Sequence, residues 1–336
     1  MDTPDHPITR RTAIAALGTS ALGMMMPGLR LPADERAGDA LAKLLPKFSE
    51  RSREVLGQLL RNPNYSGQIP ATDTAKLSQN ENTTLEKLMV DLLPFAQSYS
   101  HAPISNFYVG VVVRGASGAL YTGSNIEIPG QCLGFAVHAE QSALSNAYMH
   151  SEQALTSLAV GGAPCGHCRQ FINEMAPDGE ILILTPQNAP RKLSSILPDA
   201  FGPAALGMMH GAFPVQTSDL LLHENPSDPL TVAALDAARR AYAPYSKSPS
   251  GVALRSVSGR IYRGSYIENV AFNPSLSPLQ VAIAAMIAAG EPYSAILGVA
   301  LVEVPEAKIS QKSVSETVLG AIAPNVKLQV FAAAAG

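Results

Sequence analysis

Apolar positions divide the chain into elements. Leu41, Leu44, Leu45 and Phe48 recur at helical spacing, and Val55, Leu59 and Leu60 extend the pattern to a break at Asn62-Pro63-Asn64. A polar stretch from Ser66 to Thr84 follows. Leu85, Leu88, Met89, Leu92 and Leu93 then predict a second helix, which Pro94 stops or kinks. No chemistry-bearing cluster falls in this region, so its expected role is helical packing on a core. Beyond it the period changes. Residues 103–127 read as an apolar strand, a Ser-Gly turn and a second strand. A helical segment, His138 to Met149, comes next, and Ile181 to Leu184 reads as a buried strand.

The same pattern returns 141 residues later. Residues 244–268 align with 103–127 without a gap. The identities include Pro103/Pro244, Gly110/Gly251, Val111/Val252, Arg114/Arg255, Ser117/Ser258, Gly118/Gly259, Tyr121/Tyr262, Gly123/Gly264 and Glu127/Glu268. A helical segment from Leu279 to Ala289 and an apolar run from Ala295 to Val302 follow in the second copy. Chance rarely gives so many matches at one offset, so the pattern predicts a duplicated domain. Strands alternating with helices favour layered α/β sheets.

Composition narrows the class. The chain has 336 residues, 46% of them hydrophobic and 15% charged, which suits a well-filled core. The net charge is −3 and no basic run occurs, which argues against a broad nucleic-acid surface. Three cysteines, two of them in Cys165-x-x-Cys168 and Cys132 alone, suit metal binding better than a disulfide framework. At the N-terminus, Thr9-Arg10-Arg11-Thr12 precedes a largely apolar run from Ala13 to Met26. This reads as a twin-arginine export signal over residues 1–30, with a periplasmic enzyme and no membrane span in its mature form. The alternative is a leader that stays on a cytoplasmic enzyme. A route carrying folded protein would let metal load before export and protect both thiols.

The chemistry gathers in the first copy. His138-Ala139-Glu140, answered by Pro164-Cys165-Gly166-His167-Cys168, supplies one imidazole and two thiolates. That mixed N/S set is one zinc favours, and three protein ligands leave the fourth tetrahedral position for water. Glu140 stands two residues from His138, placed to handle that water's proton. The H-x-E…P-C-x-x-C pattern is the signature of zinc-dependent nucleobase deaminases. A closed structural knot would need a fourth ligand, for which His167 and Cys132 are the candidates. In the second copy the segment opposite His138-Ala139-Glu140 reads Pro278-Leu279-Gln280, and no cysteine occurs there, so that copy is expected to be catalytically silent. Asn125 and Glu127, two apart at a strand end, can face one side and suit a ribose diol. A carboxylate there disfavours a phosphate, and so favours a nucleoside over a nucleotide. Local turn stabilisation is the competing role for this pair.

These residues resemble the long, dimeric bacterial cytidine deaminases. The resemblance rests on Ser105-Asn106-Phe107, Asn125-x-Glu127, His138 to Ala143, Pro164 to Gln170, and Leu197 to Pro203. In the second copy it rests on Pro244 to Gly251 and Asn269-x-Ala271-Phe272-Asn273-Pro274. It implies duplicated three-layer α/β/α domains with a small N-terminal helical region, and one zinc per chain on His138, Cys165 and Cys168. It also implies that Asn125 and Glu127 bind the ribose 3′-hydroxyl and that Phe107 packs on the pyrimidine. The backbone near Ala139 and Ala163 reads the base edge, and Phe201 reaches the pocket of a partner subunit in a homodimer. The leader departs from that family, whose members work in the cytoplasm.

The expected organisation is a leader over residues 1–30, an N-terminal helical region over 31–95, a zinc-bearing catalytic domain over 96–215 and a zinc-free second domain over 216–336. The expected activity is deamination of cytidine and 2′-deoxycytidine in pyrimidine salvage. The rival readings are a deaminase of another base or a polynucleotide, and a zinc-stabilised protein without turnover.

Overall fold

The computed structural model describes residues 39–222, 227–305 and 307–335. The expected leader lies outside the described residues.

The N-terminal region begins with α1 (Asp39–Leu44) and α2 (Glu50–Arg61). The apolar pattern predicts one helix here, but the chain forms two. Pro46 lies between them, and Ser49 caps α2 by accepting from the Ser52 amide. The polar stretch that follows is not structureless. It forms β1 (Gln68–Ile69) and α3 (Ala71–Asn80). Only Thr74 and Leu77 of α3 are buried, too few apolar positions to show a helical period. The next predicted helix is broken at Leu92 into α4 (Leu85–Asp91) and α5 (Leu93–Gln97), with Pro94 in the first turn of α5, where a missing N–H costs nothing.

The first copy then runs β2 (Gly110–Gly115), β3 (Leu120–Ser124), α6 (Ala139–Met149), β4 (Leu155–Val160), α7 (Gly166–Met175), β5 (Leu182–Thr185), β6 (Asn188–Lys192) and α8 (Leu193–Ile196). The second runs β7 (Leu220–Leu222), α9 (Pro229–Arg239), β8 (Ser250–Ser256), β9 (Ile261–Ser265), α10 (Pro278–Ala288), β10 (Ile296–Glu303), α11 (Lys312–Ile322) and β11 (Leu328–Ala335). Two sheets result, ordered β1-β3-β2-β4-β5-β6 and β7-β11-β10-β8-β9. In each, a hairpin leads to an antiparallel neighbour and then one parallel pair, β4–β5 or β10–β11.

Strand alternation sets the layers. Val111 and Val113 of β2 face the central core, while Val112 faces the N-terminal helices. In β8, Val252 and Leu254 face the same central core, while Ala253 faces α9. The central core also takes side chains from α6, α7, α10 and α11, so the copies share one middle layer of helices. The duplicated three-layer α/β architecture is therefore present, with its two inner faces fused.

The repeat identities have structural reasons. A Cβ on Gly110 would come within 2.3 Å of the Gln97 nitrogen, and on Gly251 within 2.1 Å of the Ala238 nitrogen. The outer helix sits directly on the strand in both copies. Ser117 and Tyr121 both donate to Glu152, as Ser258 and Tyr262 do to Glu291. Glu127 accepts from the Ile104 and Ser105 amides, and Glu268 from those of Tyr245 and Ser246. The copies are stapled by a reciprocal pair: Gln141 donates to Pro274 O at 3.1 Å and Gln280 to Phe135 O at 2.9 Å. No helix among the described residues is long and apolar enough to cross a membrane.

Candidate active site

Two helix N-termini bring the metal set together. His138 is the N-cap of α6, and its amide donates to Gln141 Oε1 at 3.1 Å. The residue before it is fixed by a bridge, with Val137 N donating to Ile126 O at 2.8 Å and Ile126 N to Val137 O at 2.9 Å. Cys165 is the N-cap of α7, and its sulfur accepts from the Cys168 amide. Three residues apart at a helix start, the two thiols converge as their spacing predicts.

His138 Nδ1 lies 3.6 Å from Cys165 Sγ and 3.3 Å from Cys168 Sγ, and the sulfurs are 3.5 Å apart. Zinc–sulfur bonds of about 2.3 Å and zinc–nitrogen bonds of about 2.0–2.1 Å at tetrahedral angles separate ligand atoms by about 3.5–3.8 Å. The three atoms fit one face of that tetrahedron. Among the described residues this is the one His/Cys/Asp/Glu group able to hold a metal. The candidate fourth ligands do not join it. The His167 ring stacks on that of His138 at 5.2 Å, and Cys132 is exposed on the loop before α6. Cys168 draws the Cys165 thiol down to about 4, and Cys165 in turn pushes Cys168 up, as expected of two thiols sharing a proton that a cation replaces.

Glu140, in the first turn of α6, is 6% exposed. Burial raises its carboxyl above the ordinary range, and the nearby Cys168 and His138 side chains only partly offset this. It therefore sits at the metal set without being one of the ligands.

Asn125 and Glu127 follow the end of β3 and organise the neighbouring loop. Asn125 accepts from Val109 N at 2.8 Å and donates to Phe107 O at 2.8 Å. Glu127 accepts from Ile104 N at 2.7 Å, Ser105 N at 3.0 Å and the Ser105 hydroxyl. Burial tends to raise the Glu127 carboxyl, but the Ser105 hydroxyl and these amides outweigh it and hold it below its ordinary range. Both residues thus perform the turn-stabilising role, and they shape the loop that presents Phe107, which is 68% exposed. Ala139 is buried in α6, Ala163 is exposed before Cys165, and Phe201 is 49% exposed beyond α8.

Several supporting residues escaped sequence reasoning. Arg169 donates to Pro164 O and Ile196 O, both at 2.8 Å, tying the turn before Cys165 to α8. Gln170 donates to Phe201 O at 2.7 Å. Glu174 is fully buried and accepts from the hydroxyls of Tyr242 and Tyr245 and from Val270 N, anchoring α7 to the second copy. Adjacency to Cys168 was the signal for Arg169 and Gln170, while nothing local marked Glu174.

The second copy's equivalent of this site differs from the sequence alignment. Ile267 bridges Leu276 as Ile126 bridges Val137, so residues 268–275 replace the longer 127–136. His138 therefore corresponds to Ser277 and Glu140 to Leu279, not to Pro278 and Gln280. Both N-caps close the same box, on Gln141 and Gln280. Matching α11 to α7 by their C-caps and buried residues sets Lys312 at Cys165 and Ser315 at Cys168. Tyr266, buried beside Glu268, Ser275 and Gln311, takes the place of Asn125.

Comparison with known proteins finds one family at both copies. Two family models, both described as the cytidine and deoxycytidylate deaminase zinc-binding region, match residues 82–184 and 193–316. A cytidine deaminase of Vibrio vulnificus (strain CMCP6) is 42% identical over 278 residues, covering 81% of this chain and 91% of that protein. One of Vibrio cholerae serotype O1 (strain ATCC 39541 / Classical Ogawa 395 / O395) is 46% identical over 297 residues, covering 87% and 97%. Among solved structures, cytidine deaminase from Mycobacterium tuberculosis matches with 30% identity and a TM-score of 0.32, covering 34% of this chain and 96% of that one. With relatives this similar along most of its length, the chain belongs to the cytidine deaminase family, and it matches the family's zinc-binding region twice but, among the described residues, holds one metal set.

Proposed function

We propose that this chain hydrolyses cytidine and 2′-deoxycytidine to uridine and 2′-deoxyuridine with release of ammonia. The observation that carries the reading is the convergence of His138, Cys165 and Cys168 beside a buried Glu140 that is not a ligand. Zinc held there would act as a Lewis acid, lowering the pKa of a water toward roughly 7. The chain's own residues then handle protons. Glu140 takes a proton from the water whose oxygen bonds to C4 of the base, and delivers it to N3. It next carries the remaining proton of that oxygen to the amino group, which leaves as ammonia while the C4 carbonyl forms. One carboxylate thus serves as base and then as acid.

Substrate positioning follows from the surrounding loops. Phe107 is proposed to cover the pyrimidine, backbone at Ala139 and Ala163 to read its edge, and Asn125 and Glu127 to hold the ribose 3′-hydroxyl. Ile104, Phe107, Leu133 and Phe201 are exposed. A homodimer in which Phe201 enters the partner's pocket would cover them, and sedimentation of the purified protein as a monomer overturns that arrangement. The deciding assay follows turnover by the zinc-loaded protein. Cytidine and 2′-deoxycytidine are expected to react and single-stranded oligonucleotides not to. The reverse preference overturns the reading, and no turnover of any substrate supports a non-catalytic relative. A role in pyrimidine salvage follows from this activity. Export through Arg10 and Arg11 is a separate proposal, tested by cell fractionation of the protein and its Arg10→Lys/Arg11→Lys variant.

A further inference from the structure

We propose that Tyr293, in the catalytically silent copy, is a positioning residue for the sugar-binding segment of the catalytic copy. This rests on the cytidine reading above, with Glu127 as the sugar contact.

The segment 125–127 is held by few backbone contacts. His101 N donates to Asn125 O at 2.9 Å and Glu127 N to His101 O at 2.8 Å, while Ile126 bridges Val137 on its other side. The Glu127 carbonyl accepts from the Tyr293 hydroxyl at 3.1 Å. The Tyr293 ring also meets the His101 ring edge-on, with centroids 4.4 Å apart. One side chain from the second copy therefore touches the segment itself, at the Glu127 carbonyl, and one of its backbone neighbours, His101, and the half-buried ring leaves it little freedom.

This contact runs one way because of a loop insertion. The turn glutamates Glu152 and Glu291 correspond, and so do Ala154 and Ala295, whose carbonyls accept from Ala116 N and Val257 N respectively. Between them the first copy has only Gln153, whereas the second has Pro292, Tyr293 and Ser294. Gln153 turns back on its own copy, donating to Ser151 O at 3.1 Å. Tyr293 thus belongs to a two-residue extension of the silent copy, and it reaches the catalytic copy at the strand end carrying Glu127. Losing its hydroxyl would loosen the Glu127 backbone without touching the metal set. The sugar would then be held less tightly in ground and transition states alike, the signature of a KM effect.

Tyr293→Phe removes the hydroxyl and keeps the ring. The expected result is a KM for cytidine raised about threefold to tenfold, the effect of one hydrogen bond, with kcat within about twofold of the parent. Zinc content stays at one per chain. For 3′-deoxycytidine, which lacks the hydroxyl assigned to Glu127, KM should be nearly unchanged by the substitution. Tyr293→Leu, which also removes the ring contact, should enlarge the same substrate-selective effect. Unchanged KM for cytidine in both variants overturns the proposal. So does an equal rise for both substrates accompanied by a lower Tm, which marks a merely structural role. If the parent enzyme itself fails to distinguish cytidine from 3′-deoxycytidine, the sugar-contact assignment of Glu127 falls first and the proposal with it. That failure is visible before any substitution is made.

Discussion

The two copies share their scaffold down to individual hydrogen bonds, yet only one holds the metal ligands. Both have a hairpin whose turn is fastened by a glutamate, Glu152 or Glu291. Both have a helix capped on a glutamine, Gln141 or Gln280, and a loop clamped by Glu127 or Glu268. They differ where ligands are needed. Ser277, Lys312 and Ser315 stand where the first copy has His138, Cys165 and Cys168, and Leu279 replaces Glu140. Neither a lysine nor a serine supplies a thiolate there. The comparison shows that repeat identity marks load carried by the scaffold, while divergence marks the chemistry. The silent copy also works on the catalytic one through Gln280, Tyr293 and the tyrosines around Glu174.

The sharpest test of this division is Glu140→Gln. Zinc content should be retained, measured by plasma emission, while kcat falls about 10²- to 10⁴-fold, the range for a general acid–base group. Near-parental kcat would show that this carboxylate is not what separates the catalytic copy from the silent one.

A smaller effect is expected where the copies agree. Glu152→Gln and Glu291→Gln should each lower unfolding free energy by about 1–3 kcal/mol in denaturant titrations at neutral pH, the more buried Glu152 giving the larger loss. Although burial tends to raise both carboxyls, bonds from the serine and tyrosine hydroxyls hold them below the ordinary 4.5. A depressed folded-state pKa gives stability that is fully present above 4.5 and lost as pH falls through the lower folded value. The gap between parent and variant should therefore narrow in acid. A gap independent of pH would assign the loss to packing.

Weaker still, Gln141→Ala and Gln280→Ala should each cost about 1–2 kcal/mol, since each removes one helix-capping bond and one bond between copies. Equal losses would support the reciprocal staple, and a loss in only one would break that symmetry. At the small end, Ser277→His should leave zinc at one per chain, because Lys312 and Ser315 offer no thiolate. A second zinc would show that the silent copy lacks only its imidazole.

Much of this was legible in the sequence because it depends on local spacing. The duplication, the helix starts at His138 and Cys165, and the convergence of two thiols follow from residues a few positions apart. The N-terminal region was less readable. Pro46 and Ser49 divide one apolar pattern into two helices, and α3 has too few buried positions to declare itself.

What the sequence determined by itself was the ligand types, their number and the copy that holds them, since no fold can supply a thiolate that the chain lacks. What only the tertiary structure decided was the register between the copies and the contacts across them. Shortening 127–136 to 268–275 and lengthening the turn at Tyr293 shift the alignment twice. An ungapped offset cannot follow those shifts. The tyrosines around Glu174, 68 and 71 residues away in the chain, meet it only because both sheets press against one layer of helices.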